Sequence, residues 1–356
     1  MNILDYIKTN LKTISELTFN EIDSLILSQF CYLNFKNIIP SLEENMDGLQ
    51  IKELYKMELF NQMINPTGKP ELNQELLNLL SASPRFREIK LNYHINIENE
   101  ETQFSATTFI LNNNTIYIGI RGTDGTLVGW EEDFDLAFKS PIPSQIQSKL
   151  YIEKIIKKYP NHTIYIGGHS KGGNLAIYGA MMQKNNSQIQ KIFSHDGPGF
   201  SEDITKTNEY KKIEKKIFKT IPSSSLVGML LESTHNYKII KSSAHSGILQ
   251  HDPYSWQIEN NSFIEVEQLS KDAIFMNQTI NQWLSQINQE KRALFVNTLF
   301  NILESTEQDS FKDISKNWQK TIPMMIESSK NLDKETKEEM NKLLFELMKS
   351  PFKKQE

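Results

Sequence analysis

The segment Ile164-Tyr165-Ile166-Gly167-Gly168-His169-Ser170-Lys171-Gly172-Gly173-Asn174-Leu175-Ala176 restricts the fold of this chain more than any other stretch. A short apolar run at 163–166 ends in a cluster of glycines, and 175–182 continues with a helical pattern. A strand that turns sharply into a helix leaves no room for side chains where the backbones approach. Gly168 and Gly172 stand at those places. The spacing Gly168-x-Ser170-x-Gly172 is that of a nucleophile elbow, which lifts a serine hydroxyl above a sheet edge. In that geometry the Lys171 N–H points into the site as an oxyanion donor. The following helix presents its partially positive N-terminus to developing negative charge. A bare G-x-S-x-G also arises by chance in glycine-rich turns with a structural serine. The strand before it and the helix after it supply the context that the elbow requires.

The rest of the chain predicts a fold that can hold such an elbow. Residues 1–90 read as mostly helical: Ile22, Leu25, Ile26, Phe30 and Leu33 follow a cap at Asn20, and Leu54, Met57, Phe60 and Ile64 form a further stripe closed by Pro66-Thr67-Gly68. The β-rich runs 106–111 and 115–120, joined by Asn112-Asn113-Asn114, predict a hairpin. An amphipathic helix is expected over 145–159, and strands over 192–194, 216–221 and 237–241. Strands alternating with helices imply a mainly parallel sheet wrapped by helices. From 263 to 356 the pattern is helical, with Trp283 and Trp318 read as core or interface residues. The expected organisation is a helical N-terminal segment over 1–90 packed on the core, an α/β core over 91–262 and a helical region over 263–356.

Composition narrows the class. With 356 residues, 38% hydrophobic and 23% charged, the chain can bury a sizeable core. Its 39 basic and 44 acidic residues give a net charge of −5, which offers no basic face for nucleic acid and weighs against an anionic membrane surface. The one cysteine, Cys31, cannot form an internal disulfide or build a metal cluster alone, and its place in the apolar run 25–35 reads as a buried hydrophobe. The start, 1–12, lacks a basic segment followed by an apolar core, so no signal peptide is expected. No apolar run approaches the roughly 18 residues of a transmembrane segment. The expected location is cytoplasmic.

A second feature precedes the elbow. The strand at 115–120 runs into Arg121-Gly122-Thr123-Asp124-Gly125-Thr126, followed by Gly129-Trp130-Glu131-Glu132-Asp133. A tight loop after such a strand is where the other oxyanion donor is expected, and the backbone N–H of Thr123 is the candidate. An ordinary turn with a structural Arg121–Asp133 ion pair fits the same residues.

Together these residues resemble the class 3 lipase branch of the α/β-hydrolases, with its Arg-Gly-Thr loop, following tryptophan and aspartate, and Gly-His-Ser-x-Gly-Gly elbow. The chain is still more similar to the Mbeg-like bacterial α/β-hydrolase family. That resemblance rests on Gly168-His169-Ser170-Lys171-Gly172-Gly173-Asn174-Leu175, Asp196-Gly197-Pro198-Gly199-Phe200 and Gln250-His251-Asp252-Pro253-Tyr254-Ser255-Trp256, with Gln103-Phe104-Ser105-Ala106 and Ile22-Asp23-Ser24 upstream. It covers about residues 1–260. It implies an α/β-hydrolase fold; the substrate of that family is unassigned, and a serine hydrolase acting on carboxylic esters is the expectation.

Ser170 needs a base, and α/β-hydrolases run in the order serine, acid, histidine. His195 comes too early and His235 precedes a strand, whereas His245 and His251 follow the last expected strand. The resemblance favours His251, which stands before an aromatic as the histidine of class 3 lipases does, over His245. His169 reads as packing beside the nucleophile or as a support of the catalytic groups, and His94 and His162 as surface or turn residues. The acid is open. Class 3 lipases carry an aspartate at the place this chain matches with Ser225, in Ile221-Pro222-Ser223-Ser224-Ser225-Leu226-Val227-Gly228. Asp196 is the best substitute, and it serves equally as a turn-capping residue for Gly197-Pro198-Gly199. Asp252 adjoins His251, and neighbouring side chains of an extended chain point apart.

The reading is therefore a Ser170–His251–Asp196 triad with the N–H groups of Lys171 and Thr123 as oxyanion hole, acting on a small-molecule or lipid ester through an acyl-enzyme. No cofactor or metal is implied. Two rivals stay open: a catalytically degenerate α/β-hydrolase scaffold that binds a ligand or protein, and a lipase working in peripheral contact with a membrane surface. Oligomeric state, acyl chain and head group are not legible.

Overall fold

The apolar runs of the chain become strands of one sheet. A computed structural model describes residues 1–44, 46–64, 69–99, 101–123, 136, 140–231, 237–245, 247–271, 273, 274, 277, 278 and 338. Among them the strands β1 (Leu49–Gln50), β2 (Lys90–Glu98), β3 (Gln103–Asn112), β4 (Thr115–Ile120), β5 (Thr163–His169), β6 (Ile189–His195), β7 (Ile217–Pro222) and β8 (Tyr237–Ile240) lie side by side in sequence order. β1 to β4 pair antiparallel, and the β3–β4 hairpin turns at Asn113-Asn114. β4 to β8 run parallel. Parallel neighbours need crossovers. The helix Pro143–Lys158 lies between β4 and β5, Lys171–Met181 between β5 and β6, and the short helices Glu202–Thr205 and Asn208–Ile213 between β6 and β7.

The two faces of the sheet carry separate cores. Ile116, Ile118, Ile164, Ile166 and Ile192 pack under the crossover helices with Tyr151, Ile155 and Leu175. Tyr117 and Phe193 point to the opposite face, as strand alternation requires, and meet Phe19, Ile22, Leu25 and Phe30 from the N-terminal segment. Trp256 and Phe263 complete that second core. Asn20 starts the helix Glu21–Phe30 with a reciprocal capping box: its side chain accepts from the Ile22 and Asp23 N–H groups, and the Asp23 carboxylate accepts from the Asn20 N–H. Arg85 pins this helix from below. Its guanidinium donates to both oxygens of the fully buried Asp23 and to the carbonyls of Lys12 and Leu17.

Several expected boundaries move. The helix capped by Asn20 ends at Phe30, so Leu33 lies beyond it. Leu54 sits in the single-turn 3-10 helix Ile51–Leu54, ahead of the helix Met57–Met63. Besides its helices, the N-terminal segment contributes β1 to the sheet. Phe263 belongs to the two-residue strand Ser262–Phe263, paired with Ile258–Glu259. Most of 263–356, with Trp283 and Trp318, lies outside the described residues, as do Pro66-Thr67-Gly68 and the segment from Asp124 to Asp133. No helix among the described residues is long and apolar enough to cross a membrane. A mainly parallel sheet of this order, with helices on both faces and a sharp strand-to-helix turn after β5, is the α/β-hydrolase fold.

Candidate active site

The site begins where β5 stops. β5 lies between β4 and β6, with Gly168 opposite Ile120 and His169 opposite His195. A Cβ on Gly168 would stand 2.3 Å from the Gly172 carbonyl carbon, and one on Gly172 would stand 2.3 Å from the Ile120 oxygen. Backbone meets backbone at both points, so only glycine fits. Between them Ser170 takes φ 57° and ψ −135°. Such a conformation costs a non-glycine residue on the order of 1–3 kcal/mol and is held only where the surroundings enforce it. Here the enforcement is the N–H of Ser170 donating to the His195 carbonyl at 2.9 Å and the Gly173 N–H donating to the Ser170 carbonyl at 2.9 Å. The serine side chain, half-buried, stands at the N-terminus of the helix Lys171–Met181.

Asp196 follows β6 directly and is fully buried, with φ 49°. A buried carboxylate must be hydrogen-bonded or it costs several kcal/mol. The Ser225 hydroxyl donates to Oδ1 at 2.5 Å and the Gly228 N–H to the same oxygen at 3.1 Å. Oδ2 faces His251 Nδ1 at 2.6 Å. The side chain thus turns to Ser225, Gly228 and His251 rather than capping Gly197-Pro198-Gly199. A carboxylate accepts, so His251 carries its proton on Nδ1 and presents the lone pair of Nε2. The His251 side chain keeps 21% of its surface exposed, so that nitrogen belongs to a group open to solvent.

The loop that cradles Asp196 is tied to the one that carries His251. Trp256 Nε1 donates to the Gln250 carbonyl at 2.8 Å, and Gln250 Oε1 accepts from the Ser224 N–H at 2.8 Å. Lys219, buried on β7, donates from Nζ to the Gly228 carbonyl at 2.6 Å. Burial pushes its ammonium down to about 8, against the pull of the Asp196 charge. Sequence reasoning missed Ser225, Gly228 and Lys219 as the cradle of Asp196. The serine-rich segment was the signal, and it marked the right loop while suggesting a lost acid.

The other expected groups fall as follows. Lys171 is the first residue of the helix after the elbow, and its buried side chain reaches back toward the Gln103 carbonyl at 3.5 Å. Thr123 is partly exposed in the segment after β4, next to Gly122. A Cβ on Gly122 would stand 2.7 Å from the His169 carbonyl oxygen and 3.2 Å from Ser170 Cβ, so this loop lies against the elbow. Arg121 pairs with Glu98 at 3.2 Å; its expected partner Asp133 lies outside the described residues. His195 is buried between Thr220 Oγ1 at 2.9 Å and Ser24 Oγ at 3.0 Å, and burial pushes it down to about 3. His245 is exposed, and His235 lies outside the described residues. His94 is not a surface residue: it is buried on β2, bonded to Thr107 Oγ1 at 2.9 Å, and pushed down to about 4 by burial. Cys31 is buried, which raises its thiol far from a reactive range.

Comparison with known proteins gives three findings. The Mbeg1-like family model matches residues 80–301. A search of curated proteins finds no match. Among solved structures, the chain is similar to a fungal lipase–inhibitor complex (12% identity, 62% of this chain and 76% of that one, TM-score 0.38). It is also similar to the Rhizomucor miehei lipase propeptide complex (16% identity, 43% and 57%, TM-score 0.33). A third likeness is to a mutant form of MDLA from Penicillium cyclopium (10% identity, 68% and 83%, TM-score 0.40).

Proposed function

The chain belongs to the Mbeg1-like family, and from that membership together with the geometry around Ser170 we propose that it is a serine hydrolase that cleaves carboxylic esters. One observation carries the reading. His251 Nδ1 meets the buried Asp196 carboxylate at 2.6 Å, on loops that follow the strand–elbow–helix unit bearing Ser170. A fully buried carboxylate bound to an imidazole that keeps solvent access is the arrangement a general base requires.

In this reading His251 Nε2 takes the Ser170 proton as Oγ attacks the ester carbonyl. Asp196 stabilises the imidazolium without taking its proton. The N–H groups of Lys171 and Thr123 hold the oxyanion, reinforced by the N-terminus of the helix Lys171–Met181. The proton returns to the leaving alkoxide, the alcohol departs, and water releases the acyl group by the same steps in reverse. The substrate class is a small-molecule or lipid ester. The test is hydrolysis of a soluble p-nitrophenyl ester by pure protein. Ser170→Ala is expected to lower kcat by about 10⁴-fold or more, and an unchanged rate overturns the proposal.

A further inference from the structure

His169 precedes the nucleophile, yet its side chain bonds to the base. Its Nε2 lies 2.8 Å from the main-chain oxygen of His251, and the two rings stand 4.4 Å apart at 34°. A carbonyl can only accept, so His169 carries its proton on Nε2. Burial, then the neighbouring His251, holds this imidazole neutral, well below the ordinary histidine range. Its Nδ1 is therefore an acceptor, and the Tyr32 hydroxyl lies 3.4 Å from it. That hydroxyl also fills the space beside Gly122, where a Cβ would come within 2.3 Å of it and within 3.2 Å of Ser170 Cβ. Tyr32 comes from the N-terminal segment, outside the matched residues 80–301.

We infer that His169 and Tyr32 are positioning residues: His169 Nε2–H fixes the main chain of His251 to the end of the strand that bears Ser170, and the Tyr32 hydroxyl holds His169 in the tautomer that does so. The inference rests on the hydrolase reading above. The physical need is plain. His251 ends a short 3-10 helix, Gly247–His251, on a partly exposed loop. A misplacement of about 1 Å between base and nucleophile costs on the order of 10²-fold in rate.

The experiment compares wild type with His169→Leu, His169→Gln and Tyr32→Phe. One readout is the rate constant for labelling of Ser170 by a fluorophosphonate. The other is the downfield proton resonance of His251 Nδ1–H. His169→Leu is expected to slow labelling by about 10- to 100-fold and to broaden the resonance, which Ser170→Ala leaves sharp. His169→Gln, whose amide can donate to the same carbonyl, recovers most of the loss, which a merely space-filling role would not produce. Tyr32→Phe slows labelling severalfold. Wild-type labelling and an unchanged resonance in His169→Leu overturn the inference. If wild type itself takes no label, the hydrolase reading fails, and the resonance alone decides the positioning role.

Discussion

At the scale of single residues, Ser170 sits where a glycine would sit without strain. Its φ of 57° is enforced by bonds to His195 and Gly173. Replacing it relieves that strain and removes the hydroxyl. Ser170→Gly is therefore expected to be more stable than wild type by about 1 kcal/mol, after the entropy that glycine adds to the unfolded chain, while losing ester hydrolysis. A chemical denaturation curve checks this, and a fall in stability contradicts the strain assigned to the elbow. Chain order left His245 and His251 as the base, the resemblance to class 3 lipases favoured His251, and Asp196 was the best substitute for an acid left open. The cradle of Asp196 was hidden in the sequence, since Ser225 and Gly228 act through a loop whose closure no local pattern announces. Tyr32 was hidden more deeply: in Phe30-Cys31-Tyr32 it reads as one more apolar residue, and its meeting with His169 spans 137 positions.

At the scale of elements, the elbow is a crossing of three backbones rather than a turn. Gly172 touches the end of β4 at Ile120, and Gly168 touches Gly172. Gly172→Ala drives a methyl into a carbonyl that the sheet holds in place. The expected cost is about 2–3 kcal/mol, with loss of labelling at Ser170, read from thermal melts and intact mass; a variant with wild-type stability would mean that β4 and the elbow are not in contact. β3 and β4 were legible as β-rich runs with their Asn-rich turn. β2 was not. Its register shifts between Asn92 and Ile95, and Tyr93 takes φ 54°, so the apolar period breaks in mid-strand. β6 read short because Gln190 and Lys191, before its apolar end, are not buried.

At the scale of the whole molecule, the N-terminal segment is the cover of one sheet face, and its fate is tied to that sheet. Arg85 and Asp23 are both fully buried, and the arginine also holds the carbonyls of Lys12 and Leu17. Arg85→Met leaves a carboxylate buried without its cation, at an expected cost of about 3–5 kcal/mol. Because this face shares one core with Tyr117 and Phe193, the loss appears as a single earlier transition and not as a separate melting of residues 1–79.

Acid acts on the whole molecule through buried imidazoles. His195 is pushed down to about 3 and His94 to about 4, both by burial. The unfolded chain protonates these rings as pH falls through about 6.5, while the folded chain keeps them neutral. Their contribution to stability is thus complete above pH 6.5 and lost as pH falls toward 4, by up to about 1.4 kcal/mol per pH unit for each ring. Denaturant midpoints at pH 7.5 and 5 measure it, and equal midpoints contradict the burial assigned to both rings.

The central claim is that one hydroxyl, Ser170, is made nucleophilic by His251. Intact-mass spectrometry after treatment with a fluorophosphonate addresses it most directly. The account predicts one adduct per chain in wild type, located on Ser170, and none in Ser170→Ala. A wild-type protein that stays unmodified, or an adduct that persists in Ser170→Ala, would contradict it.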